Sequence, residues 1–85
     1  MNEIPERIVR LCGRIMQTAA EVTAAGRHQA SAEFRGAGRT VEVTGYRINH
    51  GAIDNESRTN LRVQLNNPYA EYLLEQVLNT LEAMR

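Results

Sequence analysis

His28-Gln29-Ala30-Ser31-Ala32-Glu33-Phe34-Arg35, then Gly36-Ala37-Gly38, then Thr40-Val41-Glu42-Val43-Thr44 is the stretch that decides the fold. In the first run His28, Ala30, Ala32 and Phe34 fall on one face, with Arg27, Gln29, Ser31, Glu33 and Arg35 opposite. A period of two marks a strand, because successive side chains point to opposite sides of a pleated backbone. The two glycines supply positive-φ positions for a tight three-residue connection, and the second run alternates again, so the stretch spells a β-hairpin. Gly45 interrupts the alternation and Tyr46 and Ile48 resume it, which places Gly45 at a bulge or beneath a closely packed helix.

Outward from the hairpin the period changes. Upstream, residues 3–25 carry Ile4, Ile8, Leu11, Ile15, Ala19 and Val22 at steps of three and four, one face of a helix. Asn2 is the expected N-cap, Pro5 fits the first turn, and Gly26 stands where a left-handed residue would end the helix. Downstream, 49–57 is polar and reads as a loop, and Leu61, Val63 and Leu65 alternate with Asn60, Arg62 and Gln64 as a third strand. Asn67-Pro68 then reads as an N-cap with proline at N1. Ala70, Leu73, Leu74, Val77, Leu78, Leu81 and Met84 make an apolar stripe running to the C-terminus. The expected fold is α+β in the order α-β-β-β-α: one compact domain over 1–85, with a three-stranded antiparallel meander sheet and two helices packed on one face.

Composition narrows the function. At 85 residues the chain has room for one small core, so an oligomer interface or a bound partner would add materially to its stability. No apolar run reaches the length of a membrane span, and the charged, mixed-sign start Met1-Asn2-Glu3-Ile4-Pro5-Glu6-Arg7 is unlike a signal peptide, so a cytoplasmic location is expected. The single cysteine, Cys12, excludes an intramolecular disulfide and Cys-rich metal frameworks. Ten basic residues balance ten acidic ones, so no global field draws the chain to nucleic acid or to a membrane. All the basic residues are arginines, a pattern that fits either a GC-rich genome or bidentate anion pairing.

Function must use what the core leaves over. On the first helix Glu3, Arg7, Arg10, Arg14, Gln17 and Glu21 share a polar ridge, basic at its centre. Between that ridge and the core stripe lie Val9, Met16 and Ala20 beside Gly13, which widens the apolar sector to nearly half the helix. Contact with the second helix accounts for that width, and so does a self-association or partner surface. Cys12 on the same side reads as a small packed hydrophobe. On the second helix Glu71, Glu75 and Glu82 form an acidic ridge near Arg85, able to pair with the basic ridge across a helix seam. Tyr69 and Tyr72 flank it, either half-buried or as interface anchors. The outer sheet face, Gln29 to Arg35 with Thr40, Glu42, Thr44, Asn60, Arg62 and Gln64, is polar and mixed in charge.

Catalytic chemistry finds little material. His28, His50, Cys12, Ser31, Ser57 and scattered carboxylates follow no catalytic motif, and the one cluster of acid, base and hydroxyl, His50 to Ser57, reads as a polar β-connection. No cofactor fingerprint or metal-ligand spacing is present, so no catalysis, metal or cofactor is expected.

The order α-β-β-β-α is shared by double-stranded RNA-binding domains, but Asn67-Pro68-Tyr69-Ala70-Glu71 is uncharged to acidic where those domains grip phosphates with lysines. The long first helix and the Gly36-Ala37-Gly38 turn leading into Val41-Glu42-Val43-Thr44 resemble the hairpin of YbaB-type nucleoid-associated proteins, a resemblance over about a dozen positions that implies a dimer and, more weakly, DNA binding. The leading expectation is a small non-catalytic adaptor or inhibitor, of the kind that phages and other mobile elements encode, working as a homodimer through Arg7, Val9, Arg10, Arg14, Met16, Tyr69, Glu71, Tyr72 and Glu75. The alternatives are nucleic-acid binding through arginine patches, or a small anionic ligand held by Arg35, Arg58 and Arg62.

Overall fold

A computed structural model describes residues 3–85. Helix α1 (Glu6–Ala25) leads into strands β1 (His28–Arg35), β2 (Thr40–Asn49) and β3 (Ala52–Gln64), and helix α2 (Ala70–Glu82) closes the chain. The strands form one antiparallel sheet in the order β1-β2-β3, so β1 and β3 are its edges. The expected α+β meander is the fold observed.

The apolar periodicities meet in one core. Ile15, Val22, Leu74 and Leu81 are fully buried, and Val41, Val43, Val63 and Leu65 supply the sheet's inner face. α1 packs along α2 and over β1, while α2 touches the sheet chiefly at β3. The two helices therefore share the sheet's apolar face, with α1 on the β1 side. The molecule is elongated, 48 × 19 × 18 Å, because the far end of the β2–β3 hairpin runs on past the helices.

Local chemistry differs from expectation at the element ends. α1 begins at Glu6, with Pro5 as N-cap and its carbonyl accepting from the N–H groups of Ile8 and Val9. Pro5 thus lies outside the first turn, and Asn2 lies outside the described residues. Gly26 takes φ 87° as expected, and its N–H donates to the carbonyl of Thr23. The β1–β2 connection does not use positive φ at Gly36 or Gly38. Arg39 carries it instead, at φ 47°, and its N–H donates to the carbonyl of Gly36. Thr40, expected on the solvated face, is buried, its hydroxyl donating to the carbonyl of Gly38.

The largest correction is at 49–57, which is strand rather than loop. β2 and β3 stay paired out to Asn49 and Ala52, joined by His50 and Gly51 at φ 53° and 78°. Two successive positive φ values are the type I′ geometry whose twist matches that of paired strands. The polarity that suggested a loop reflects an arm with no helix to bury it. Between the pairs Gly45↔Thr59 and Arg47↔Asp54 the register slips. Ser57 stitches that irregularity, its hydroxyl donating to the carbonyl of Asp54 and accepting from the N–H of Arg47. Gly45 is both at the bulge and under the end of the chain: a Cβ there would lie 3.1 Å from the Sδ and Cε of Met84.

α2 also starts later than expected, at Ala70 with Tyr69 as N-cap. Asn67 forms the preceding turn instead. Its side-chain oxygen accepts from the N–H of Tyr69 and its carbonyl from that of Ala70.

Leu74→Ala removes a fully buried side chain from the core that the helices share with the sheet. It is expected to cost about 3 kcal/mol of unfolding free energy, against under about 1 kcal/mol for Val9→Ala on the exposed side of α1, both read from urea denaturation.

Candidate docking surface between the first helix and the edge strand

α2 does not cover the extra width of the α1 apolar sector. Val9 is 55% exposed and Met16 47%, and Gly13 and Ala20 are exposed beside them. These residues overhang the β1 side of the sheet, where Phe34, the only phenylalanine, is 43% exposed. Two adjoining hollows of about 290 and 190 Å³ lie between helix and strand, sharing Val9, Cys12 and Phe34. Met16, Ala32 and Val41 help line the larger, and Ile4 and Leu65 complete the smaller. Cys12 is half-buried here, and burial pushes its thiol pKa up, which keeps it protonated and apolar.

The strand beneath this groove has a free edge. The carbonyl of Arg27 accepts from the N–H of Ile48 at 2.9 Å. Hydrogen-bonded pairs alternate along an antiparallel ladder, so Gln29, Ser31, Glu33 and Arg35 bond inward to β2, and the N–H and C=O groups of His28, Ala30, Ala32 and Phe34 face away from it. Ala30 is capped from within the chain. The hydroxyl of Thr23 accepts from the Ala30 N–H at 3.0 Å and shares its own proton between the carbonyls of Ala30 and Ala19. Among the described residues no hydrogen bond takes up the outward groups of Ala32 and Phe34, the two positions beneath Val9, Cys12 and Met16.

The other expected site residues sit elsewhere, and four of them, Arg7, Arg10, Arg35 and Glu71, are ion-paired. Arg7 pairs with Glu71 across the helix seam, and Arg10 with Glu6 within α1. Arg14 lines a shallow polar hollow with Gln17, Glu21 and Arg85. Arg35 reaches both Glu33, at 2.9 Å, and Glu42, at 3.6 Å. Arg62 stands opposite Glu42 in the ladder, and Arg58 lies next to Thr59 at the register slip. The expected arginine patches are thus separated and interleaved with carboxylates. Tyr69 and Tyr72 are exposed, not half-buried, at 71% and 60%, and Glu75 is exposed on the same helix. Among the described residues no three His, Cys, Asp or Glu side chains converge on one point, and no helix is long and apolar enough to cross a membrane.

The wide apolar sector was visible in the sequence, but neither its location over β1 nor the role of Thr23 was. The signals were present: a meander leaves its first strand at an edge, and a polar residue near the end of a helix that turns back over that strand is placed to cap it.

No family model, curated protein or solved structure matches the chain.

At the far end of the helix seam Arg85 joins the two helices, pairing with Glu82 and Glu21. Glu82 is held below the usual carboxylate range, first by Arg85; Glu21 is held low first by Gln17 and then by Arg85. A lowered folded-state pKa gives stabilisation that is present above the unfolded value and lost as pH falls through the folded one. Arg85→Ala is therefore expected to raise the titration midpoint of Glu82 more than that of Glu21 in a carboxyl-detected NMR titration.

Proposed function

We propose that this chain is a small non-catalytic binding protein, an adaptor or inhibitor acting in the cytoplasm, that engages a protein partner through the groove between α1 and β1. The observation that carries this reading is the coincidence of exposed Val9, Met16 and Phe34 with the unpaired outward groups of Ala32 and Phe34. A partner that adds a strand here gains main-chain hydrogen bonds and apolar burial from the same contact. Exposed apolar surface of this kind, rimmed by charged residues, is a common mark of an interaction site.

Among the described residues no other side chain fills the groove. The nucleic-acid alternative calls on arginines of which Arg7, Arg10 and Arg35 already face carboxylates at close range, so a phosphate contact at any of these three would have to displace an existing ion pair.

Photo-crosslinking in cells tests the proposal. A benzophenone amino acid at position 16 is expected to form covalent adducts with protein, and the same group at position 62 on the outer sheet face to form few. Equal labelling from both positions, or none from position 16, would remove the groove from consideration.

A further inference from the structure

We infer that the partner is a second copy of this chain, joined β1 to β1 in antiparallel register about a twofold axis at Phe34. The inference rests on the groove being a docking surface, and the edge itself restricts which self-pairings β1 can make.

In antiparallel pairing, directly opposed residues share a face of the sheet, so only registers that match even with even and odd with odd residues keep the apolar side continuous. Registers centred on Ala30, Ser31 or Ala32 all require the outward groups of Ala30, which Thr23 occupies. Centring on Glu33 sets Glu33 against Glu33, and centring on Arg35 sets Arg35 against Arg35, like charges directly opposed. Centring on Gln29 again calls on Ala30, and centring on His28 leaves Phe34 and the groove outside the pairing, so within the strand Phe34 remains. There the outward groups of Phe34 pair with those of its counterpart, and Ala32 falls opposite Gly36, a turn residue whose carbonyl also accepts from the Arg39 N–H. On the outer face each Glu33 stands opposite the other copy's Arg35, twice over.

The same register closes the groove. The two phenylalanine rings meet across the axis on the inner face, where edge-to-face or offset aromatic contact is favourable. Val9 and Cys12 line one hollow with Phe34 in each copy, so the α1 helices come side by side over a six-stranded sheet. Gly13 fits that approach. A Cβ at Gly13 would meet nothing within 4 Å in its own chain, so nothing there calls for glycine, a poor helix former. Two helices meeting closely would use its small size. The chain's net charge of zero sets no long-range repulsion between copies.

Light scattering on the full chain tests both occupant and register. The native chain is expected to have twice its monomer mass at low and high salt. Glu33→Arg and Arg35→Glu, each alone, place like charges across the axis and should shift the protein to monomer, with self-association weaker by roughly tenfold or more. Mixed in equal amounts, the two variants restore both opposite-charge pairs and should recover the dimer as a heterodimer. Phe34→Glu should be monomeric with an unchanged circular dichroism spectrum.

A native chain that stays monomeric at about 100 µM, a concentration at which even a micromolar dimer is assembled, would overturn the inference. So would a dimer that persists in both charge variants, or a mixture that stays monomeric. Failure here with continued position-16 crosslinks to other proteins would discard self-pairing while keeping the groove as a binding surface. Loss of all crosslinks would discard the groove itself.

Discussion

The structure depends on how α1 lies over β1. One helix face is asked to pack against α2, against the sheet and above a strand edge, and its apolar sector is wider than the first two contacts use. Ile15 and Val22 are fully buried while Val9 and Met16, on the adjoining side, are about half exposed. A chain of 85 residues buries a smaller share of its surface than a larger domain does, so apolar groups beyond the reach of its own core are a standing cost unless something covers them.

Thr23 shows that the β1 edge is managed rather than merely left open. Free strand edges invite pairing with other chains, and proteins blunt them with charges, prolines, bulges or covering segments. Here one hydroxyl near the end of α1 takes both backbone groups of Ala30, which separates the open stretch at Ala32 and Phe34 from the start of the strand at His28. Blocking one position and leaving the next two free restricts where a second strand can seat. The ion pair between Glu33 and Arg35 sits on the outer face of that same short window, so edge, groove and charge converge within a few consecutive residues. The charges at the helix seam act differently. Arg7 with Glu71 and Arg85 with Glu21 tie α1 to α2, and being exposed they contribute little stability individually.

The fold was legible because each element announced itself by period. The two-residue alternation of β1 and the three-and-four spacing of α1 and α2 depend on geometry alone, and the connections are too short for many topologies. The distal hairpin was not legible, since its residues are polar for want of a helix above them, and polarity without a buried face looks the same in strand and loop. His50-Gly51 was the missed signal, a pair able to adopt two positive φ values in succession. The groove was half legible. The excess apolar width on α1 could be read from Val9 and Met16, while its position over β1 depends on the angle at which the helices share the sheet, a property of packing between distant residues such as Leu74 and Ile15. The separation of the arginines was equally hidden, because Arg35 meets Glu42 only once β1 and β2 are in register.

The central claim is that the edge of β1 at Ala32 and Phe34 is a place where another strand binds. Amide hydrogen exchange followed residue by residue at two protein concentrations, about 5 and about 500 µM, tests it most directly. Strand docking predicts that the Ala32 and Phe34 amides exchange markedly more slowly at the higher concentration, while Ala30, capped by Thr23, and the amides of the distal hairpin change little. Exchange at Ala32 and Phe34 that is equally fast at both concentrations, with the native fold intact, would contradict it.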